Sequence, residues 1–100
     1  MSGEESATTN ISVRHEHDLE PEELRANLEK LAVKLSERLG GSWSWEGKAI
    51  VCESRGAKAR VIYDESSIEV NVTLPHALRL VRGRLEAKIE EYVERYFRRS

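Results

Sequence analysis

A chain of 100 residues with a formal net charge of −2 has room for one modest hydrophobic core. It exerts no general attraction on nucleic acid or anionic lipid. With 39% hydrophobic and 34% charged residues it has the composition of an ordinary soluble domain, and no apolar run approaches the length that crosses a bilayer.

Residues 1–10 are small, polar and acidic and read as a flexible tail, without the basic-then-apolar pattern of a secretory signal. Residues 11–98 read as a single domain. Ile11, Ser12, Val13, Arg14 and His15 alternate apolar and polar, as a short strand does. Asp18 to Glu23 marks a helix start, with Asp18 or Glu20 to cap, Pro21 in the first turn and carboxylates at the positive end of the dipole. Leu24, Leu28, Leu31, Leu35 and Leu39 then form a stripe with Ala32 beside it, and Gly40-Gly41 stops the helix.

Residues 42–74 read as a meander of four short strands. A two-residue loop at Glu46-Gly47 sets Trp45 opposite Lys48 and Trp43 opposite Ile50. A four-residue loop from Ser54 to Ala57 sets Cys52 opposite Ala59 and Ile50 opposite Val61. A third, from Asp64 to Ser67, sets Tyr63 opposite Ile68, Val61 opposite Val70 and Ala59 opposite Val72. All three loops gather Trp43, Trp45, Ile50, Cys52, Ala59, Val61, Tyr63, Ile68, Val70, Val72 and Leu74 on one face. A slip of one residue would invert a whole strand. The other face is mainly polar, with Glu53 opposite Lys58 and Ile62 opposite Glu69.

Residues 74–97 carry the longest run with a single period. Leu78, Val81, Leu85, Ile89, Tyr92, Val93 and Tyr96 recur at steps of three and four, and Pro75 suits a first helical turn. The expected order is β-α-β-β-β-β-α: an α+β fold of two layers, with an antiparallel sheet covered on one face by both helices. The position of the first strand is left open; pairing with the last strand beside Leu74 is one arrangement.

Several stretches in this order resemble a known family. They are residues 11–15 with His17 and Leu19, then Pro21-Glu22-Glu23 opening a leucine-striped helix, then Trp45-Glu46-Gly47-Lys48. Arg55-Gly56 before a strand and Val81-Arg82-Gly83-Arg84-Leu85-Glu86 leading into the last helix complete the set. Together they resemble the small polyhydroxyalkanoic acid system proteins of bacteria, over residues 11 to about 98. Glu20 departs from a more usual Ser or Thr cap, Ala59 from a second glycine, and Leu80-Val81 from a Pro-Phe type pair. The resemblance implies an α+β domain linked to cytoplasmic granules of polyhydroxyalkanoate, a hydrophobic polyester, and brings no catalytic residues with it.

The residues with chemical potential each have a plain structural account. His15, His17 and His76 could ligate a metal, but no cysteine pair or acidic ligand has supporting spacing, so no metal or cofactor is expected. Cys52 is the only cysteine, which excludes an intrachain disulfide and suits a reducing cytoplasm. Its inward register favours a packed core thiol over a nucleophile. Arg79, Arg82, Arg84, Arg95, Arg98 and Arg99 are diluted by Glu86, Glu90, Glu91 and Glu94, as on a solvated face. Trp43, Trp45 and Tyr63 pack in the core or line a ligand groove.

The functional expectation is a non-enzymatic accessory protein that meets a granule-associated protein or the polyester granule surface. The alternative is a binding module with an apolar groove for an acyl or hydroxyacyl ligand, lined by Trp43, Trp45 and Tyr63. A homodimer through the open sheet face, at Ala49, Val51 and Ile62, or through an edge strand is a third arrangement.

Overall fold

Pairing of the first strand with the last settles the architecture. The computed structural model describes residues 8–54 and 56–97. Its elements are β1 (Thr8–Glu16), α1 (Pro21–Leu39), β2 (Ser42–Glu46), β3 (Ala49–Ser54), β4 (Ala57–Tyr63), β5 (Ser67–Pro75), a 3-10 helix (His76–Val81) and α2 (Arg82–Tyr96). The sheet is antiparallel in the order β1-β5-β4-β3-β2. β1 begins at Thr8, inside the stretch expected to be tail, because residues 8–10 pair with residues 73–75 at the end of β5. The rest of the expected tail, residues 1–7, lies outside the described residues.

The central registers are the expected ones. Cys52 pairs with Ala59, Ile50 with Val61, Val61 with Val70, and Tyr63 with Ile68. The first hairpin is displaced by two residues: Trp45 pairs with Ile50 and Trp43 with Cys52, so its turn is Gly47-Lys48. Both favoured two-residue hairpin turns need a positive φ at their first central residue, and Gly47 supplies it at +62°. An even displacement leaves every side chain on its expected face. The second loop is tighter than expected, since Ser54 already pairs with Ala57.

Both helices cover the same face. α1 lies over β2 and β3, and α2 over β1. Leu24, Leu28, Leu31, Ala32 and Leu35 of α1 join Ile11, Val13, Ile50, Cys52, Val61, Ile68, Val70, Val72, Ile89 and Val93 in one buried cluster, closed by Phe97. Glu20 caps α1 without a side-chain hydrogen bond, in keeping with its departure from the Ser or Thr cap. At the other end Gly40 is left-handed at φ 79°, and its N–H donates to the Ser36 carbonyl at 2.8 Å. A Cβ on Gly41 would overlap the Glu53 carbonyl, so the chain must be bare where it turns into β2.

The expected helix over residues 74–97 divides in two. Leu74 and Pro75 finish β5, where Leu74 pairs with Thr9, and six residues of 3-10 helix precede α2. Leu78 and Val81, placed by periodicity in the buried stripe, are each 41% exposed. A 3-10 helix advances about 20° more per residue than an α-helix, so the apolar stripe loses phase over those residues. On the outer face Ala49 and Val51 are buried, with Ser44 and Arg60 beside Val51, which leaves only Ile62 of the three proposed dimer contacts exposed.

Candidate functional site

The sheet has two ends, and they are built differently. At one end lie the turns after β2 and β4 and the start of α1. Trp45 is locked there: its Nε1–H donates to Glu29 Oε2 at 3.1 Å, Arg25 lies 4.6 Å above its ring, and Tyr63 meets it edge-on at 6.3 Å. Tyr63 also lines an open recess of about 590 Å³ with Leu19, Pro21, Leu24, Lys48, Asp64 and Glu65. The structure thus brings Trp45 and Tyr63 together. Trp43, two residues back on the same face, is half-buried against the core and lines no described recess.

Most polar atoms at this end are already spoken for, the exception among the described residues being His15 Nδ1, which is buried without a hydrogen-bond partner. Buried His17 accepts the Leu19 N–H at Nδ1 (3.1 Å), which leaves Nε2 to donate to the Asp64 carbonyl at 3.0 Å. The Asp64 carboxylate accepts the N–H groups of Ser66 and Ser67 at 2.8 and 2.7 Å, with both hydroxyls beside them. Those bonds, Ser66 first, hold its carboxyl below the usual range. Asp64 is therefore a turn-forming acceptor, poorly suited to act as a base. His76 starts the 3-10 helix at the opposite end of the sheet, so the three histidines are not brought together. Among the described residues no cluster of three metal-ligating side chains forms.

Cys52 is fully buried, with its thiol 4.0 Å from the Ala32 carbonyl, and desolvation pushes its pKa up to about 11. It stays a thiol at neutral pH, without the thiolate a nucleophile needs.

At the opposite end α1 stops, β3 turns into β4, and the 3-10 helix leads into α2. A groove of about 310 Å³ opens there. Leu39, Ala57, Leu74, Leu78, Val81 and Leu85 form its apolar lining. Arg38, Arg84 and Lys88 supply charge, and among the described residues no carboxylate lines it. Beside the groove the 3-10 turn exposes Leu78 and Val81 and leaves Leu80 85% exposed. Arg82 anchors this turn: Nε–H donates to the Asn10 carbonyl at 2.9 Å and Nη1 reaches Glu86 at 3.0 Å. Arg95 and Lys88 share Glu91 at 3.4 and 3.5 Å, as on a solvated helix face. Arg98 and Arg99 lie outside the described residues.

Sequence reasoning missed this end, because Leu78 and Val81 fit a helical stripe. The available signal was Leu80, which falls off that stripe between Arg79 and Arg82.

Comparison with known proteins gives one match. A family model described as "Putative polyhydroxyalkanoic acid system protein" covers residues 11–97. No curated protein and no solved structure matches the chain.

Proposed function

The chain belongs to that polyhydroxyalkanoic acid system family, and on this premise we propose that it is a non-enzymatic accessory protein of the polyester storage system. It works in the cytoplasm and meets the granule, through a granule-associated protein or the granule surface itself, with its 3-10 turn. The observation that carries this reading is the exposure of Leu78, Leu80 and Val81 on one short, anchored segment. Burying a leucine fully contributes roughly 1.5–3 kcal/mol, so Leu80 has most of its contribution still to make. No helix among the described residues is long and apolar enough to cross a membrane. Nucleic acid is not the partner we favour, because Glu86, Glu91 and Glu94 interrupt the arginines of α2.

The test is sedimentation with native granules, with polyester particles stripped of protein, and with polystyrene particles of the same size. Recovery with native granules that falls for Leu80→Asp supports the reading. Equal recovery on polystyrene removes it. Recovery on native but not stripped particles assigns the contact to a granule protein.

A second reading, the acyl-binding module, is favoured by the recess beside Tyr63. There Tyr63 would wall an acyl or hydroxyacyl ligand, with Trp45 edge-on behind it and Trp43 on the same face. Tryptophan fluorescence titrated with short-chain hydroxyacyl compounds tests it, and an unchanged spectrum at millimolar ligand argues for a solid corner.

A further inference from the structure

The groove at the 3-10 end has a composition that selects a ligand. Six of its ten lining residues are apolar: Leu39, Ala57, Leu74, Leu78, Val81 and Leu85. Three more are Arg38, Arg84 and Lys88, and the tenth is Ser54. Cations over an apolar floor are complementary to an anionic head on an apolar tail. The Arg84 side chain forms no hydrogen bond or ion pair among the described residues. Arg38 is held by Nε to the Tyr92 hydroxyl at 3.0 Å, a neutral partner that leaves its charge uncompensated. Lys88 is partly offset by Glu91, 3.5 Å away and itself shared with Arg95. The recess at the Tyr63 end lacks this bias, since Lys48 there faces Asp64 and Glu65.

Size narrows the class. A solvent-open groove of about 310 Å³ is at the small end of the range for ligand pockets, the scale of one small amphiphile rather than a polymer or a protein segment. An eight-carbon carboxylate is a probe of that scale. We propose that this groove binds a single alkanoate or hydroxyalkanoate of medium length. Its carboxylate sits at Arg84 and Lys88, with Arg38 near, and its chain lies along Leu39, Leu74, Leu78, Val81 and Leu85. A guanidinium takes a carboxylate in a two-pronged, charge-assisted pair, which Lys88 reinforces as a point charge. Selection of a carboxylate amphiphile rests on the groove alone. Preference for the hydroxylated acid, with Ser54 as its hydroxyl partner, rests on the polyester-system reading.

Titration of the full chain with octanoate below its micelle concentration, followed by amide chemical shifts, tests the proposal against octylammonium and octanol. Saturable shifts at Leu39, Ser54, Leu78, Arg84 and Leu85 are expected with octanoate. Shortening the chain to hexanoate should weaken binding about fifteenfold, at roughly fourfold per methylene. Arg84→Gln with Lys88→Gln should weaken octanoate about tenfold and leave octanol unchanged, which also shows that the groove remains folded. Octylammonium or octanol binding as tightly as octanoate overturns the proposal, and so do shifts confined to Trp45 and Tyr63. Leu80→Asp separates this site from granule docking. Leu78 and Val81 belong to both surfaces, so octanoate binding that survives it while granule recovery falls separates ligand binding from docking, and loss of both overturns that separation.

Discussion

The two ends of the sheet spend similar residues in opposite ways. At the Trp45 end an aromatic pair, a buried histidine and a turn aspartate satisfy one another, and what polarity they have is consumed inside the chain. At the 3-10 end leucines face solvent and three cations line a groove in which, among the described residues, no carboxylate takes part, Lys88 alone reaching one outside it in Glu91. Satisfied polar groups stabilise and specify a fold. Exposed apolar groups beside unmatched charge contribute little to it and mark a contact with something else. The contrast predicts that substitutions at the first end change stability and substitutions at the second change binding.

The largest effect is expected at His17. Replacing it with alanine strands the Leu19 N–H and the Asp64 carbonyl and removes a ring 6.4 Å from that of Phe97. A loss of about 2–4 kcal/mol should appear in urea unfolding. His17→Asn, which can still accept the Leu19 amide, should recover part of it. A loss below about 0.5 kcal/mol would mean that this end is not the anchored one.

Asp64 gives a smaller, pH-dependent effect at the same end. Its carboxyl is lowered in the folded state by the Ser66 and Ser67 amides. The folded protein therefore favours the carboxylate. The resulting stability is present above the unfolded value of about 3.9 and is lost as pH falls through the lower folded value. Urea midpoints between pH 5 and 2 should fall less steeply for Asp64→Asn than for the parent chain. An unchanged acid slope would detach the turn from this carboxylate.

The difference between the ends was only half legible in the sequence. Period-2 alternation places Ile50, Cys52, Ala59, Val61, Val70 and Val72 inward whatever the loop lengths, so the sheet face could be read despite the two-residue displacement at Gly47. The Trp45–Tyr63 corner follows from the same register, because both flank the central Ile50–Val61 pair. Two things were hidden. Strand alternation says nothing about which edge receives β1. The apolar spacing of Leu78, Val81 and Leu85 fits an α-helix and does not distinguish it from the 3-10 turn that forms, so the most exposed apolar segment looked like core.

A still smaller change is expected where the satisfied end meets solvent. Arg25 lies over the Trp45 ring and pairs with Glu29 at 3.9 Å, but both side chains are substantially exposed. Arg25→Ala should cost less than about 1 kcal/mol, and less again in high salt. A loss above about 2 kcal/mol would show that Trp45 depends on its cation and that the corner acts as one cooperative unit.

Leu80→Asp is the sharpest test because its expected effect on stability is the smallest. Leu80 is 85% exposed and outside the buried cluster, so the change should move the unfolding free energy by no more than about 0.5 kcal/mol. The 3-10 turn itself should persist, since Arg82 ties its end to Asn10 and Glu86, and neither bond involves Leu80. A carboxylate at that position would nevertheless have to shed its water to enter an apolar contact, which is costly when nothing pairs with it. Granule recovery should therefore drop severalfold while unfolding is unchanged. If unfolding moves and recovery does not, Leu80 belongs to the fold after all, and the two ends do not divide stability from binding.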